Sequence, residues 1–234
     1  MLKTVKISHP ENDVWFVSDF HAHHDREFVY GKRGFKSAQE HLETLIERWN
    51  AHLTDKSIVV HLGDFCFGDP DGSRFKTLLR RLKFKTLYMH PGNHISGYLA
   101  VYKETIVKNF PHAVNEDKSL AFEVYPLPYY VDGDTNKAAV FVTQYTEYSV
   151  NGHPVMACHY PIISHNHHSK AATHLTGHSH GSCPVTNKDT GKGRRLDVGI
   201  ESFGRPVSLS EIKAHLRGRD LDIVDHHDGS AAMH

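Results

Sequence analysis

Three times between residues 14 and 94 an apolar, β-rich run ends on side chains that bind metals or move protons. Val14-Trp15-Phe16-Val17-Ser18 leads into Asp19-Phe20-His21, and the run from Ser57 to Leu62 leads into Gly63-Asp64. Thr86 to Met89 leads into His90-Pro91-Gly92-Asn93-His94. Short, continuously apolar runs of this kind fit strands buried on both faces. Helical spacing follows each of them, so the chain reads as three strand–loop–helix units of an α/β sheet. Such a sheet gathers its polar tips at the carboxyl ends of the strands, the usual place for ligands. His61, inside the second run, reads as a core histidine.

The connecting segments read as scaffold. Ser37-Ala38-Gln39-Glu40 has the form of a capping box, with Leu42, Leu45, Ile46, Trp49 and Leu53 following on one helical face. A second helix over 71–85 points Phe75, Leu78, Leu79 and Leu82 inward. Its basic outer face (Arg74, Lys76, Arg80, Arg81, Lys83) reads as solvated. A third carries Tyr98, Leu99, Tyr102, Ile106 and Val107 and stops before Pro111. From about Leu120 the period becomes two: 120–125, 138–150 and 153–159 read as antiparallel strands, with Asn151-Gly152 as a type I′ hairpin turn. Ser208-Leu209-Ser210-Glu211 caps a last helix.

Histidine is the outlier in composition, at 22 of 234 residues, and calls for a metal or acid–base explanation. Lys plus Arg equals Asp plus Glu at 27 each, so net charge steers the chain to neither nucleic acid nor membrane. Three cysteines without C-x-x-C spacing read as reduced thiols. No apolar run approaches the ~18 residues of a membrane span, and the N-terminus has no signal-peptide pattern. The expectation is a cytoplasmic, single-domain protein over 1–218, with 219–234 as a flexible tail.

Two more blocks join the strand tips: His159, after the apolar run Val155 to Cys158, and Gly177-His178-Ser179-His180-Gly181. In an extended strand end or tight loop, residues i and i+2 point the same way. The set Asp19, His21, Asp64, Asn93, His159, His178 and His180 offers oxygen and imidazole nitrogen and no thiolate. That donor set suits Mn, Fe or Zn in an open catalytic site. Seven ligands exceed one ion and fit two ions sharing a carboxylate, an arrangement that can hold a hydroxide and clamp a phosphoryl group.

In order, Asp19-Phe20-His21, Gly63-Asp64, Gly92-Asn93-His94, His159 and Gly177-His178-Ser179-His180 resemble the signature of the calcineurin-like metallophosphoesterases. The resemblance covers about residues 14–215; Cys158 to Ile162 and Leu196 to Gly199 are similar to a small bacterial and phage-type branch. It implies a four-layer α/β/β/α sandwich of two mixed sheets. It also implies that Asp19, His21 and His180 hold one divalent metal (manganese first, iron or zinc next) and that Asn93, His159 and His178 hold a second. Asp64 would bridge the two, and His94 would face the substrate and protonate the leaving oxygen or stabilise its charge. Ile95 stands where many members have an acidic residue. Phe65-Cys66-Phe67-Gly68-Asp69 replaces the Asp-Arg-Gly of the phosphoprotein phosphatases and argues against that class. His24 has a counterpart in the small branch, as a supporting or phosphate-contacting group, whereas His23 is extra.

The implied activity is dinuclear-metal hydrolysis of a small phosphodiester or nucleotide-like ester. A phosphomonoesterase, a nuclease of the same fold and a non-catalytic scaffold are the alternatives. The aromatic, proline-bearing region 125–150 is expected to form either a homodimer contact or a wall beside the metals. The alternative for that region is that its tyrosines complete the second sheet's core.

Overall fold

The computed structural model describes residues 4–220 apart from Val114, Glu116, Lys118 and Ala171. The tail expected over 219–234 therefore lies almost wholly outside the described residues. Arg219, at its start, donates to the carbonyl of Arg195 at 3.2 Å.

The chain is an α/β protein with two mixed sheets. In order come β1 (Val5–Ile7), β2 (Val14–Val17), α1 (Glu27–Tyr30), α2 (Ala38–His52), β3 (Ile58–His61), α3 (Ser73–Arg81), β4 (Thr86–Met89) and α4 (Ser96–Asn109). Then follow β5 (Leu127–Tyr130), β6 (Ala138–Phe141), β7 (Tyr145–Val150), β8 (His153–Cys158), β9 (Thr173–Thr176), β10 (Arg195–Asp197), α5 (Ile200–Phe203), β11 (Val207–Ser208) and α6 (Leu209–His215). One sheet runs β11-β2-β3-β4-β6-β5, the other β1-β7-β8-β9-β10. β2, β3, β4 and β6 are parallel neighbours, as are β8, β9 and β10, so both sheets present carboxyl ends in sets.

Two apolar clusters hold the layers together. Val17, Val59, Leu87, Met89 and Phe141 of the first sheet meet Leu45 and Trp49 of α2, Leu78 of α3 and Tyr102 of α4. On the opposite face Phe16, Val60 and Leu62 meet Tyr148, Val155, Ala157, Leu175 and Leu196 of the second sheet. Burial of each large side chain in such a cluster contributes about 1.5–3 kcal/mol. Among the described residues, the second sheet's outer face is covered by the irregular segment 161–170. Arg195 Nη2 donates to the Ile163 carbonyl at 2.6 Å, and the Ile162 amide donates to His174 Nε2 at 3.2 Å.

The helix starts follow their sequence signals. Ser37 accepts from the Glu40 amide, but the Glu40 carboxylate reaches the Lys36 amide, one residue before the cap. Ser208 and Glu211 form the complete reciprocal box. The Asn151-Gly152 turn has φ of 50° and 85°, as a type I′ hairpin needs, and joins β7 to β8.

Two strand expectations are corrected. Residues 138–150 are not one strand: β6 pairs parallel with β4 in the first sheet, and β7 pairs with β1 and β8 in the second. The chain crosses between the sheets at 142–144. Residues 120–125 contain no strand, since β5 occupies the place beside β6. Within the region 125–150, the turn lies away from the expected metal site. The turn of Val131 to Lys137 closes the β5–β6 hairpin next to Lys85 and Thr86, at the amino end of β4. Strand tips and turn thus lie at opposite ends of the sheet. Tyr148 is fully buried as core, whereas Tyr130 stays exposed.

Several interior histidines are held neutral. His174 accepts from the Ile162 amide through Nε2, and its Nδ1–H donates to the Met156 carbonyl at 3.1 Å. His90 lies 2.9 Å from the Tyr148 hydroxyl and 3.3 Å from the Gln144 carbonyl. Burial pushes His174 down to about 3 and His90 down to about 4, with His165 adding to the first shift and carbonyl hydrogen bonds opposing the second. An unfolded histidine takes up its proton near pH 6.5, so below that pH the unfolded chain binds more protons. Stability is then full above about pH 6.5 and falls towards pH 4, by about 2 kcal/mol per histidine at pH 5. Urea midpoints should drop between pH 7.5 and pH 5, and less so in a His174→Gln variant. Equal midpoints would contradict this account.

Candidate metal centre

All seven residues singled out as ligands sit at strand tips on one end of the two sheets. Asp19 and His21 follow β2, Asp64 follows β3, and Asn93 follows β4. His159 follows β8, while His178 and His180 follow β9. The backbone is bent to bring them together: Asp19, His21, Asp64, His178 and His180 all have φ between 49° and 64°. Left-handed backbone at non-glycine residues costs about 1–3 kcal/mol each and clusters at functional sites. Two motif glycines permit the close approach. A Cβ on Gly92 would collide with Asp64 Oδ1, and one on Gly177 with Ser18 Oγ and Asp19 Oδ2.

Asp64 stands at the middle. Its Oδ2 is 3.7 Å from His21 Nε2 and 3.6 Å from His159 Nε2, while its Oδ1 accepts from the His94 amide at 2.8 Å. On one side Asp19 Oδ1 is 3.8 Å from His21 Nε2 and 3.7 Å from His180 Nε2, and those two nitrogens are 3.3 Å apart. On the other side Asn93 Oδ1 is 3.1 Å from His159 Nε2 and 2.9 Å from His178 Nδ1. Each half thus brings together the three residues that the sequence grouped. The residues that could hold an ion also group across the halves as Asp19–Asp64–His159 and His21–Asp64–His94, which makes one connected cluster.

This donor set fits divalent cations. Donor atoms 2.9–3.8 Å apart suit a shell at the ~2.0–2.2 Å metal–ligand distances of His and carboxylate sites. His21 is buried with Nδ1 unpartnered, and its Nε2 points at a second imidazole nitrogen, so a proton or a cation must stand between them. Burial pushes Asp19 up to about 8; His180 opposes this, and the carboxylates of Asp197, Glu201 and Asp64 add to it. Burial holds His21 and His159 well towards the neutral, ligating form. A positive charge in the centre would stabilise the Asp19 carboxylate and bind the neutral imidazoles through their lone pairs.

The supporting groups are specific. The Leu62 carbonyl lies 3.0 Å from His159 Nδ1 and fixes that nitrogen as the N–H, leaving Nε2 to face inward. Asp197 holds the 177–181 loop, accepting from Ser179 Oγ at 2.6 Å and the Gly181 amide at 3.0 Å. Sequence reasoning missed Glu201 and Arg33. Glu201 Oε1 is 2.5 Å from His180 Nδ1, a hydrogen bond that raises the imidazole's pKa against burial. Burial works to raise Glu201 as well, but His180 and Arg33 outweigh it and keep its carboxyl below the usual range. Arg33 bonds Glu201 at 2.7 Å and the carbonyls of Asp19 and Phe20 at 2.7 and 3.2 Å, pinning the first left-handed turn. Glu201 follows β10 as Asp19 follows β2, so the strand-tip rule could have found it. Arg33 gives no such signal.

His94 is partly exposed, its ring against His21 at 5.4 Å and Phe67 at 5.1 Å between centroids. His24 is buried beside it, whereas His23 faces the charges of Arg74 and Asp69 and takes no part. Orienting carboxylates of this kind typically account for 10–100-fold in metal affinity. Glu201→Gln is therefore expected to weaken manganese binding about 10-fold or more, measured by calorimetry. Unchanged affinity would show that Glu201 does not orient His180 for a metal.

No protein-family model matches the chain. It is similar to an uncharacterized protein of Methanocaldococcus jannaschii, 32% identical over 81 residues, which is 35% of this chain and 46% of that protein. The match thus spans about half of that relative's length. It is also similar to the Gene 66 protein of Mycobacterium phage L5, 24% identical over 234 residues, covering 95% of this chain and 99% of that protein. Among solved structures it is similar to a protein of unknown function from Aquifex aeolicus. There 16% of residues are identical, with 86% of this chain and 97% of that chain covered and a TM-score of 0.50. That likeness is one of fold alone. No helix among the described residues is long and apolar enough to cross a membrane.

Proposed function

We propose that this chain is a phosphoesterase of the calcineurin-like type that works with two divalent metal ions, manganese first among them. One observation carries the reading: six side chains converge around a seventh, Asp64, all from five separate motif blocks, and its Oδ2 stands 3.7 Å from His21 Nε2 and 3.6 Å from His159 Nε2. The two face-to-face sheets with α2–α4 outside the first are read as that family's sandwich, with segment 161–170 in place of the second outer layer of helices. Bound cations would supply a water of lowered pKa and neutralise charge on the phosphoryl oxygens.

The chain's own residues do the rest. Asp19, His21 and His180 hold one half of the centre, Asn93, His159 and His178 the other, and Asp64 belongs to both. Asp64 also fixes the His94 backbone, so the leaving-group histidine is set by the same carboxylate that joins the halves. His94 Nε2 then gives its proton to the departing oxygen. A small phosphodiester or nucleotide-like ester is the substrate class. The edge strand β5, with Tyr130 exposed, is the surface we assign to a dimer contact, remote from the chemistry. A purely monomeric mass in solution would remove that assignment.

The test is turnover of bis(4-nitrophenyl) phosphate and 4-nitrophenyl phosphate by the chelator-treated protein with manganese restored. Metal-dependent release of nitrophenolate supports the reading, and none with manganese, iron or zinc would overturn it.

A further inference from the structure

A cavity of about 610 Å³ opens beside the metal centre, within the ~300–1,000 Å³ of small-molecule sites. His21, His94, His180 and Glu201 form its inner end, so it begins at the centre itself. Its outer part is aromatic. The Phe67 ring lies over His24 at 4.0 Å between centroids and 35° between planes, and Phe28 meets His24 edge-on at 5.6 Å. Phe28 is 64% exposed, a high value for a phenylalanine that lines a cavity wall. Arg26 and Lys32 stand at the rim, and Lys32 has no ion-pair partner among the described residues.

This side of the centre is the His94 side, because the His94 ring packs on Phe67 at 5.1 Å. We infer that the cavity between Phe28 and Phe67 receives a planar aromatic ring carried by the phosphate ester, stacked beside His24, with Lys32 and Arg26 attracting the anionic ligand at the rim. The inference rests on the phosphoester reading and narrows its substrate to ring-bearing esters of the nucleotide type. A flat ligand in the cavity would cover Phe28, which is otherwise exposed at its mouth. Stacking of a base on an aromatic side chain strengthens binding by roughly 10-fold or more.

Adenosine 5′-monophosphate and ribose 5-phosphate carry the same phosphate and sugar and differ by the ring. Their affinities, measured by calorimetry on the manganese-loaded protein and on Phe28→Ala, test the inference without relying on turnover. The expected result is that the nucleotide binds about 10-fold or more tightly than the sugar phosphate. Phe28→Ala should erase most of that difference while leaving ribose 5-phosphate affinity unchanged. Phe28 is exposed, so the variant is expected to fold. Equal affinities in the native protein, or a ring preference that survives Phe28→Ala, would overturn the inference. Ring-blind binding with intact diester turnover refutes this inference alone. Ring-dependent binding with no turnover of any ester upholds it and refutes the hydrolase reading.

Discussion

Asp64→Ala is expected to abolish the metal centre as a unit. The carboxylate reaches both halves, at 3.7 Å from His21 Nε2 and 3.6 Å from His159 Nε2. It is also the acceptor for the His94 amide, so its loss frees the Gly92-Asn93-His94 turn at the same time. Metal content should fall from two ions per chain to less than one, measured by mass spectrometry of the dialysed protein. Charge stabilisation by such ions amounts to several kcal/mol, so turnover should fall by about 10³-fold or more. A variant that still retains two ions would show that Asp64 is not the shared ligand.

His94→Ala should separate chemistry from metal binding. Its side chain is 36% exposed and its Nε2 is 4.0 Å from Asp64 Oδ2, against 3.7 and 3.6 Å for His21 and His159. Metal content should stay near native. For alkyl esters kcat should fall by about 10²–10⁴-fold, the usual contribution of a general acid. For nitrophenyl esters, whose leaving group needs no proton, the loss should shrink towards unity. Equal losses for both classes would rule out proton donation and leave His94 with substrate binding alone.

The first half of the fold was legible because each element there obeys one period. Val14 to Val17, Ile58 to His61 and Thr86 to Met89 are mainly apolar, and Leu42, Leu45, Ile46 and Trp49 mark a helix face that the structure buries. The second half was harder for a physical reason. Alternation runs on through Val142-Thr143-Gln144 without glycine or proline, and nothing local marks the crossing from one sheet to the other. The Val142 amide even continues the first sheet's ladder, donating to the Met89 carbonyl at 3.0 Å. Leu120 to Tyr125 alternates as well, yet Tyr102 takes the Val124 amide and carbonyl through its hydroxyl, and Tyr125 stacks on the Tyr102 ring at 5.1 Å. A strand needs a partner, and sequence periodicity does not say whether one is vacant.

The candidate site followed the same division. Motif spacing exposed the residues at strand tips, including His178, which lies against Asn93, and His180, which lies against His21. Arg33 lies in a loop between α1 and α2, and only the folded chain brings its guanidinium to the carbonyls of Asp19 and Phe20. Phe67 stands where the phosphoprotein class has its Asp-Arg-Gly block. It became interpretable once its ring was seen against His24 and His94.

Anomalous scattering from manganese-loaded crystals tests the central claim most directly. Two peaks about 3.5–4 Å apart are expected, one beside Asp19, His21 and His180, the other beside Asn93, His159 and His178, with the Asp64 carboxylate between them. Absence of any peak at Asp64 in manganese-loaded crystals, or a lone ion bound elsewhere, would contradict it.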